Sequence, residues 1–339
     1  MKAMLLITSI VITFIVSMSS FSSPTHFIDI DSNTRVEDLL IILGQKPKPH
    51  YIKTPDSKLA ALGKDIVFKG NILSEMELIN KRQSKHFSCT SCHNTQPEFE
   101  KLSQSSPEDR LDFAIENQIP FLPASTLYGV VNRTSWYNGD YEKKYGKLVT
   151  SARNNLEEAI QLCATECSQG RKLEESEMLA VLHYLWTIDL KINDLKLSNS
   201  DLEELNGNTI SKGEKINHIK SKYIDHYEAT FLTALNVDDR RFGEGGDPLK
   251  GSAIYDLSCL HCHKEKKHTM FSLDYSNQTF KYLEKGFFNF EKKSIYQITR
   301  FGTSPLPGYR AYMPLYTKEK LSDEQLNDLA SFIKQKAQS

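Results

Sequence analysis

Twice in this chain a pair of cysteines three positions apart is followed at once by a histidine: Cys89-Thr90-Ser91-Cys92-His93 and Cys259-Leu260-His261-Cys262-His263. Two thiols at that spacing can form thioethers to the vinyl groups of one haem, while the next residue offers an imidazole to its iron. With 6 Cys and 10 His in 339 residues, chance supplies on the order of 0.003 copies of the pattern. Two copies therefore predict two covalently attached haem c groups, through Cys89 and Cys92 with His93, and through Cys259 and Cys262 with His263. The alternatives are zinc knuckles or disulfide-linked loops; zinc needs four ligands from one neighbourhood, and neither segment has a second Cys/His pair close by.

The two remaining cysteines, Cys163 and Cys167, fall in Asn155-Leu156-Glu157-Glu158-Ala159-Ile160-Gln161-Leu162-Cys163-Ala164-Thr165-Glu166-Cys167-Ser168-Gln169-Gly170-Arg171. Asn155 with Glu158 reads as a helix start and Gly170 as its C-terminal cap, which sets the two thiols one turn apart on one face. A disulfide is one reading, although i,i+4 thiols on a regular helix close only with distortion. Binding of a metal or a substrate by both thiols is a second. In the third, Cys163 is an axial thiolate of the first haem, a soft anionic donor that lowers the potential and can leave the iron. That reading carries most weight because this haem has no other obvious sixth ligand; His183 and Met178 are the fallbacks.

The elements that must hold these groups are helices. Asp56 caps an expected helix through Leu59, Leu62, Ile66 and Phe68, leading to the first motif. Asp247-Pro248 marks a cap with proline at the first helical position, and Gly251, Ile254 and Tyr255 lead into the second. Leu321-Ser322 with Gln325 is a capping box with a hydrophobic staple, followed by Leu326, Leu329, Ala330 and Ile333 at helical spacing. The expectation is a mainly α protein: a signal peptide at 1–22, an N-terminal cytochrome c-like domain at 23–195, a partly helical connector at 196–243 and a C-terminal domain at 244–339.

From its first helix through Met313-Pro314 to its terminal helix, the C-terminal domain resembles class I cytochromes c. The resemblance implies Met313 as the sixth iron ligand, with Met270 as competitor; a thioether opposite imidazole raises the potential and suits electron transfer. The N-terminal half resembles the di-haem thiosulfate dehydrogenases at Leu127-Tyr128-Gly129 and at Cys163 followed by Ser168-Gln169-Gly170-Arg171, Leu173, Ser176-Glu177-Met178 and the helix Ala180 to Trp186. A more distant likeness is to the haem subunit of the thiosulfate-oxidising multienzyme complex. The implied reaction couples two thiosulfates to tetrathionate, or the reverse, at a haem ligated by His93 and Cys163. Three departures touch the substrate: Ala159 stands where that family has an arginine, Gln96 is displaced by Pro97, and Cys167 replaces a serine.

Two dianionic substrates meeting at one site need cations. Arg133, Arg153, Arg171 and Lys143-Lys144 lie in the right stretch of chain to supply them, each with an ordinary solvated role as the alternative. Cys163 and Cys167 are the expected sulfur chemistry. Lys2, the apolar run Met4 to Met18 and the small residues after it have the form of a secretory signal, which places the mature protein in the periplasm with no membrane span. A net charge of −1 gives no field for nucleic acid. The expected partners are a small sulfur oxyanion and a periplasmic electron acceptor or donor such as a small cytochrome c. Two other functions stay open: a di-haem electron carrier without enzymatic activity, and a di-haem peroxidase, which Asn132-Arg133-Thr134-Ser135-Trp136 resembles superficially. In the connector, His218 and His226 read as surface or interface residues, and Arg240 and Arg241 as solvated side chains or contacts to haem propionates.

Overall fold

The computed structural model describes residues 31–71, 82–269, 271–289, 294–303 and 312–339. The signal segment and Met270 lie outside the described residues. The protein is mainly α. Its helices are, in order, α1 (Val36–Ile42), α2 (Ser57–Lys69), α3 (Pro107–Asn117), α4 (Tyr141–Tyr145), α5 (Leu156–Leu162), α6 (Glu175–Leu185), α7 (Asn199–Asn206), α8 (Lys212–Lys220), α9 (Pro248–Ile254), α10 (Leu260–His263), α11 (Asn277–Lys285), α12 (Ile295–Phe301) and α13 (Asp323–Ala337). Among the described residues there is no strand, only the isolated bridge Arg35 to Lys191.

Sequence chemistry starts these helices where expected. The carboxylate of Asp56 accepts from Lys58 N and Leu59 N at the start of α2, and Asp247 does the same for α9 ahead of Pro248. Ser322 and Gln325 close the capping box of α13. The inward face of α2 is Ala60, Gly63, Ile66 and Val67, whereas Phe68 lies outside at 41% exposure.

The same packing device recurs in both halves. Gly63 of α2 lies so close to α6 that a Cβ there would sit 2.0 Å from the Ala180 carbonyl oxygen and 2.9 Å from Tyr184 Cβ. Gly251 of α9 meets α13 likewise, 2.0 Å from the Asp328 carbonyl oxygen and 2.8 Å from Phe332 Cβ. Each half thus crosses a helix that precedes Cys-x-x-Cys-His with a later helix at a distance only glycine allows, an aromatic residue closing over the contact.

Three buried clusters follow. One is built on α2 and α6, with Val130, Val131, Leu156 and Leu173. A second joins α1 to Leu190, Ile192 and Leu195 and to Leu205, Ile219 and Tyr223 of α7, α8 and the turn after them. The third is the core of α9, α11, α12 and α13, and it also takes Leu111, Ala114, Ile119 and Phe121 from α3 and the segment after it. So α3, which the chain places in the N-terminal half, packs into the C-terminal core. Phe121 N donates to Leu257 O at 2.9 Å, and Gln325 Nε2 donates to Pro107 O at 2.6 Å. The stretch after α8 runs along both halves: Asp140 N donates to Ala229 O at 2.8 Å, and Lys318 N to Thr230 O at 3.0 Å.

Candidate haem sites and the cysteine pair

At the first motif, the Nδ1–H of His93 donates to the Ser125 carbonyl oxygen at 2.6 Å. That bond fixes the ring and leaves Nε2 as the nitrogen that could meet a metal, the kind of outer support that metal-ligating histidines use. The loop carrying Ser125 is tied to the motif by Ala124 N to Cys92 O at 3.3 Å and Leu127 N to Asn94 O at 2.7 Å. At the second motif, His263 Nδ1–H donates to the Phe271 carbonyl oxygen at 3.0 Å. Burial lowers the pKa of both histidines, opposed by these bonds.

The four motif cysteines are unpaired with one another. Burial raises all of them, Cys89 and Cys262 to about 11 and Cys259 to about 12. Among the described residues no group of three or more His, Cys, Asp or Glu side chains is arranged to hold a metal ion. Met313 packs against the C-terminal core, as Cys259 and Leu260 also do. Its backbone is pinned by Met313 N to Thr303 Oγ1 at 2.8 Å and Thr303 N to Met313 O at 2.9 Å. Ser258, next to Cys259, shares a 2.5 Å hydrogen bond with the Tyr316 hydroxyl.

A haem group fits what these residues leave unsatisfied. The indole N–H of Trp136 is buried without a hydrogen-bond partner among the described residues. Trp136 packs against the cluster that includes Cys89 and lines, with His50, Arg133, Asn155 and Leu156, a cavity of about 210 Å³. A buried donor without an acceptor is costly, and an acidic edge of a bound group would relieve it.

Comparison with known proteins bears on one half of the chain. Residues 246–333 match the family described as Cytochrome C oxidase, cbb3-type, subunit III. This segment is a cytochrome c domain. It implies covalently attached haem c and electron transfer as its role. No curated protein matches the chain, and no solved structure does.

Cys163 and Cys167 lie beside the first motif. Helix α5 begins where Asn155 Oδ1 accepts from Glu157 N at 2.9 Å and Glu158 N at 3.2 Å. It ends at Leu162 and continues as a single wider π turn over Cys163–Cys167, closed by Ser168 N to Cys163 O at 2.8 Å. Inserted turns of this kind mark functional sites in helices. Gly170 is not the terminator: Gln169, with φ +53°, takes the left-handed position, and Gly170 N reaches back to Ala164 O at 3.0 Å. The two cysteines are free thiols that hydrogen-bond each other. Cys163 feels Cys89 and Cys92 as well, and Cys167 acts on Cys92; the Tyr137 hydroxyl, beside Cys167, donates to Ala159 O at 3.3 Å. Both cysteines therefore lie near the attachment cysteines of the first motif.

The bond to Cys167 and burial raise the Cys163 pKa, while Cys167 is lowered by the bonds it accepts from Cys163 and Tyr137 against its burial. Tyr137, Tyr141 and Tyr312 surround the pair, and each is raised by burial and by the cysteines. Tyr137 stands edge-on to Tyr141 at 5.1 Å, and Tyr141 stacks on Tyr145 at 5.8 Å. Tyr137 holds φ +54°, a left-handed conformation unusual for an aromatic residue. Sequence reasoning missed this tyrosine wall, whose signal was the four-residue spacing of Tyr137, Tyr141 and Tyr145.

The arginines are not gathered at the pair. Arg133 is buried near His93, donating to Thr126 O and lying 4.7 Å over the Tyr227 ring. Arg153 is paired with Glu142, and Arg171 makes two 2.6 Å bonds to Glu177. Among the described cations, Lys144 comes nearest the tyrosine wall, 4.3 Å from the Phe231 ring and 5.5 Å from Tyr145. His183 Nδ1 accepts from Asp56 N at 2.8 Å, and Met178 belongs to the first core. His218 binds Asp201 at 2.7 Å and His226 binds Asp225 at 2.6 Å. Arg240 is buried rather than solvated, donating to the carbonyls of Leu235, Phe287 and Asn289, whereas Arg241 pairs with Glu324 at the surface.

The two motifs also meet. Cys262 Sγ lies 3.9 Å from Ser91 O, His261 approaches the Thr90 backbone, and His268 Nδ1 lies 3.3 Å from His86 O. The Phe87 ring sits between those of His268 and Tyr312, at 6.0 and 5.7 Å.

Proposed function

We propose that the protein is a periplasmic di-haem c-type cytochrome that oxidises or reduces a small sulfur compound at its N-terminal haem and exchanges electrons through its C-terminal one. Cys89, Cys92 and His93 would hold the first haem, with Cys163 as a further candidate ligand; Cys259, Cys262, His263 and Met313 would hold the second. The observation that carries this reading is the placement of Cys163 against Cys89 and Cys92, on a π turn that departs from the helix at that residue.

Two haems, when bound, supply storage for two electrons, the number released when two sulfane sulfurs couple. The protein's part is positional. Ser125 and Phe271 orient the two histidines, and the Tyr137 hydroxyl and Cys163 thiol hold the Cys167 sulfur. The contact of Ser91 with Cys262 brings the two attachment segments together, which favours passage of electrons between them. Coupling of thiosulfate to tetrathionate is the specific reaction proposed, resting on the resemblance around Cys163.

Low-temperature electron paramagnetic resonance of the holoprotein and its Cys163→Ala variant, with anaerobic haem reduction by thiosulfate, tests the reading. A low-spin thiolate signal and thiosulfate-driven reduction, both lost in the variant, are expected. An unchanged spectrum with no reduction overturns it. The second reading, an electron carrier without sulfur chemistry, draws on the arginines: Arg153 and Arg171 are already held by carboxylates and Arg133 donates to the Thr126 carbonyl.

A further inference from the structure

The two motif histidines are supported unequally. His93 Nδ1–H meets the Ser125 carbonyl oxygen at 2.6 Å, whereas His263 Nδ1–H meets that of Phe271 at 3.0 Å, and Phe271 is 47% exposed. We propose that Thr126 is a positioning residue for the first haem: it holds the Ser125 carbonyl against His93 and so lowers that haem's reduction potential. The role rests on the proposed ligation of the first haem by His93; it needs neither Cys163 as ligand nor a sulfur substrate.

Thr126 is buried, and both its hydroxyl and its carbonyl are bonded. The hydroxyl proton lies between the Gln96 carbonyl oxygen at 2.7 Å and that of Asn94 at 3.1 Å, while the hydroxyl oxygen accepts from Tyr128 N at 3.0 Å. The Thr126 carbonyl accepts from the buried Arg133. Asn94, also buried, follows His93 in the chain; its side-chain amide donates to Glu98 and to Pro120 O, both at 2.8 Å, and Glu98 is held in turn by Arg110. Thr126 thus joins the loop that offers the acceptor to the loop that carries the histidine, one residue beyond each partner of the 2.6 Å bond. At the second motif the corresponding bond is exposed, and the acceptor residue is tied through Phe271 N to Thr269 Oγ1 at 3.0 Å, only two positions away. Water competes there for the same proton and the same carbonyl.

A carbonyl that draws on the Nδ1 proton makes the other ring nitrogen a more basic ligand, and a stronger donor favours ferric over ferrous iron. The bond has this effect only while its length and angle are held, because hydrogen bonds weaken steeply as they bend. Without the Thr126 hydroxyl the loop keeps Ala124 N to Cys92 O at 3.3 Å and Leu127 N to Asn94 O at 2.7 Å, so it stays in place while the carbonyl between them loses its fixed direction. Lowering the first potential relative to the second favours the passage of electrons from the N-terminal haem to the C-terminal one.

Redox titration of the holoprotein, with each haem followed by its own low-temperature electron paramagnetic resonance signal, compares wild type with Thr126→Val and Thr126→Ser. The first variant keeps the shape and loses the hydroxyl; the second keeps the hydroxyl. The first haem's midpoint should rise in Thr126→Val and return to the wild-type value in Thr126→Ser, with the second haem's midpoint unmoved by either. An unchanged first midpoint in Thr126→Val, or an equal shift of both haems, overturns the proposal. Wild type alone gives an independent check should Thr126→Val lose its haem. In reduced holoprotein with isotope-labelled histidine, followed by nuclear magnetic resonance, the His93 Nδ1 proton should exchange with deuterated water about ten-fold more slowly than that of His263. Equal exchange of the two overturns the proposal as well. Failure of the ligand reading shows separately, as His93 ring signals without the displacement that a haem ring current gives an axial ligand.

Discussion

At the cysteine pair the two pKa values move apart: Cys167 and burial raise that of Cys163, whereas Cys163 and the Tyr137 hydroxyl lower that of Cys167 against its burial. Tyr137→Phe should therefore raise the Cys167 pKa and slow its alkylation at neutral pH several-fold, since the thiolate is the reacting form; the rate of labelling by iodoacetamide checks this. The motif residues were legible in the sequence because covalent attachment dictates both residue type and spacing. Tyr137, Tyr141 and Tyr145 were not, because aromatic residues every fourth position read equally well as an ordinary helix face. Nor were the carbonyls of Ser125 and Phe271, which support the two histidines through backbone that any residue type could supply.

Helix starts were legible for a physical reason: a short polar side chain satisfies amides that the helix itself cannot. Asn155 is the one that matters for chemistry, since α5 carries the chain into the turn of Cys163. Replacing Asn155 by alanine should cost about 1 kcal/mol, read as a lowered denaturant midpoint. The helix end was misjudged because a glycine was in view and a π turn leaves no composition signal; Gln169 takes the left-handed position that Gly170 was expected to fill. Gly63 and Gly251 have a stronger constraint. A Cβ at either would stand 2.0 Å from a backbone oxygen of the crossing helix, so alanine there should cost about 1–3 kcal/mol through forced separation of the helices. Gly213 in α8 meets only the Ser211 hydroxyl, at 3.9 Å, and alanine there should stabilise by about 0.4–1 kcal/mol. Thermal unfolding of the three variants side by side separates close approach from mere helix propensity.

At the scale of the whole molecule, α3 is what ties the halves together, and its destination was not legible: Leu111 and Ala114 are apolar at helical spacing, but nothing in that pattern says which core they enter. Where α3 crosses, Arg110 donates to both oxygens of Glu98, to Leu122 O and to Lys320 O, at 1% exposure. Lys320 Nζ stands 3.5 Å from Glu98, and Arg133 lies close enough to act on Lys320. Three cations thus converge on one buried carboxylate. Burial alone would raise the Glu98 pKa, but Arg110 and Lys320 hold it down at about 2. Glu98→Gln should cost about 3–5 kcal/mol, the penalty for leaving buried charge uncompensated. Lys320 carries the opposite strain: burial, with Arg110 and Arg133, lowers it to about 7 despite Glu98. Its folded pKa is then below its unfolded value of 10.5, so between about pH 7 and pH 10.5 the unfolded chain binds more protons than the folded one. Stability gains from Lys320 as pH rises through that window and is penalised below it. Lys320→Met removes the titrating group while keeping a stem of similar length, so its unfolding midpoint should respond less steeply to pH across the same range than that of the parent. Equal slopes for the two proteins would mean that Lys320 keeps an ordinary pKa in the folded state and that the junction of the halves is open to water.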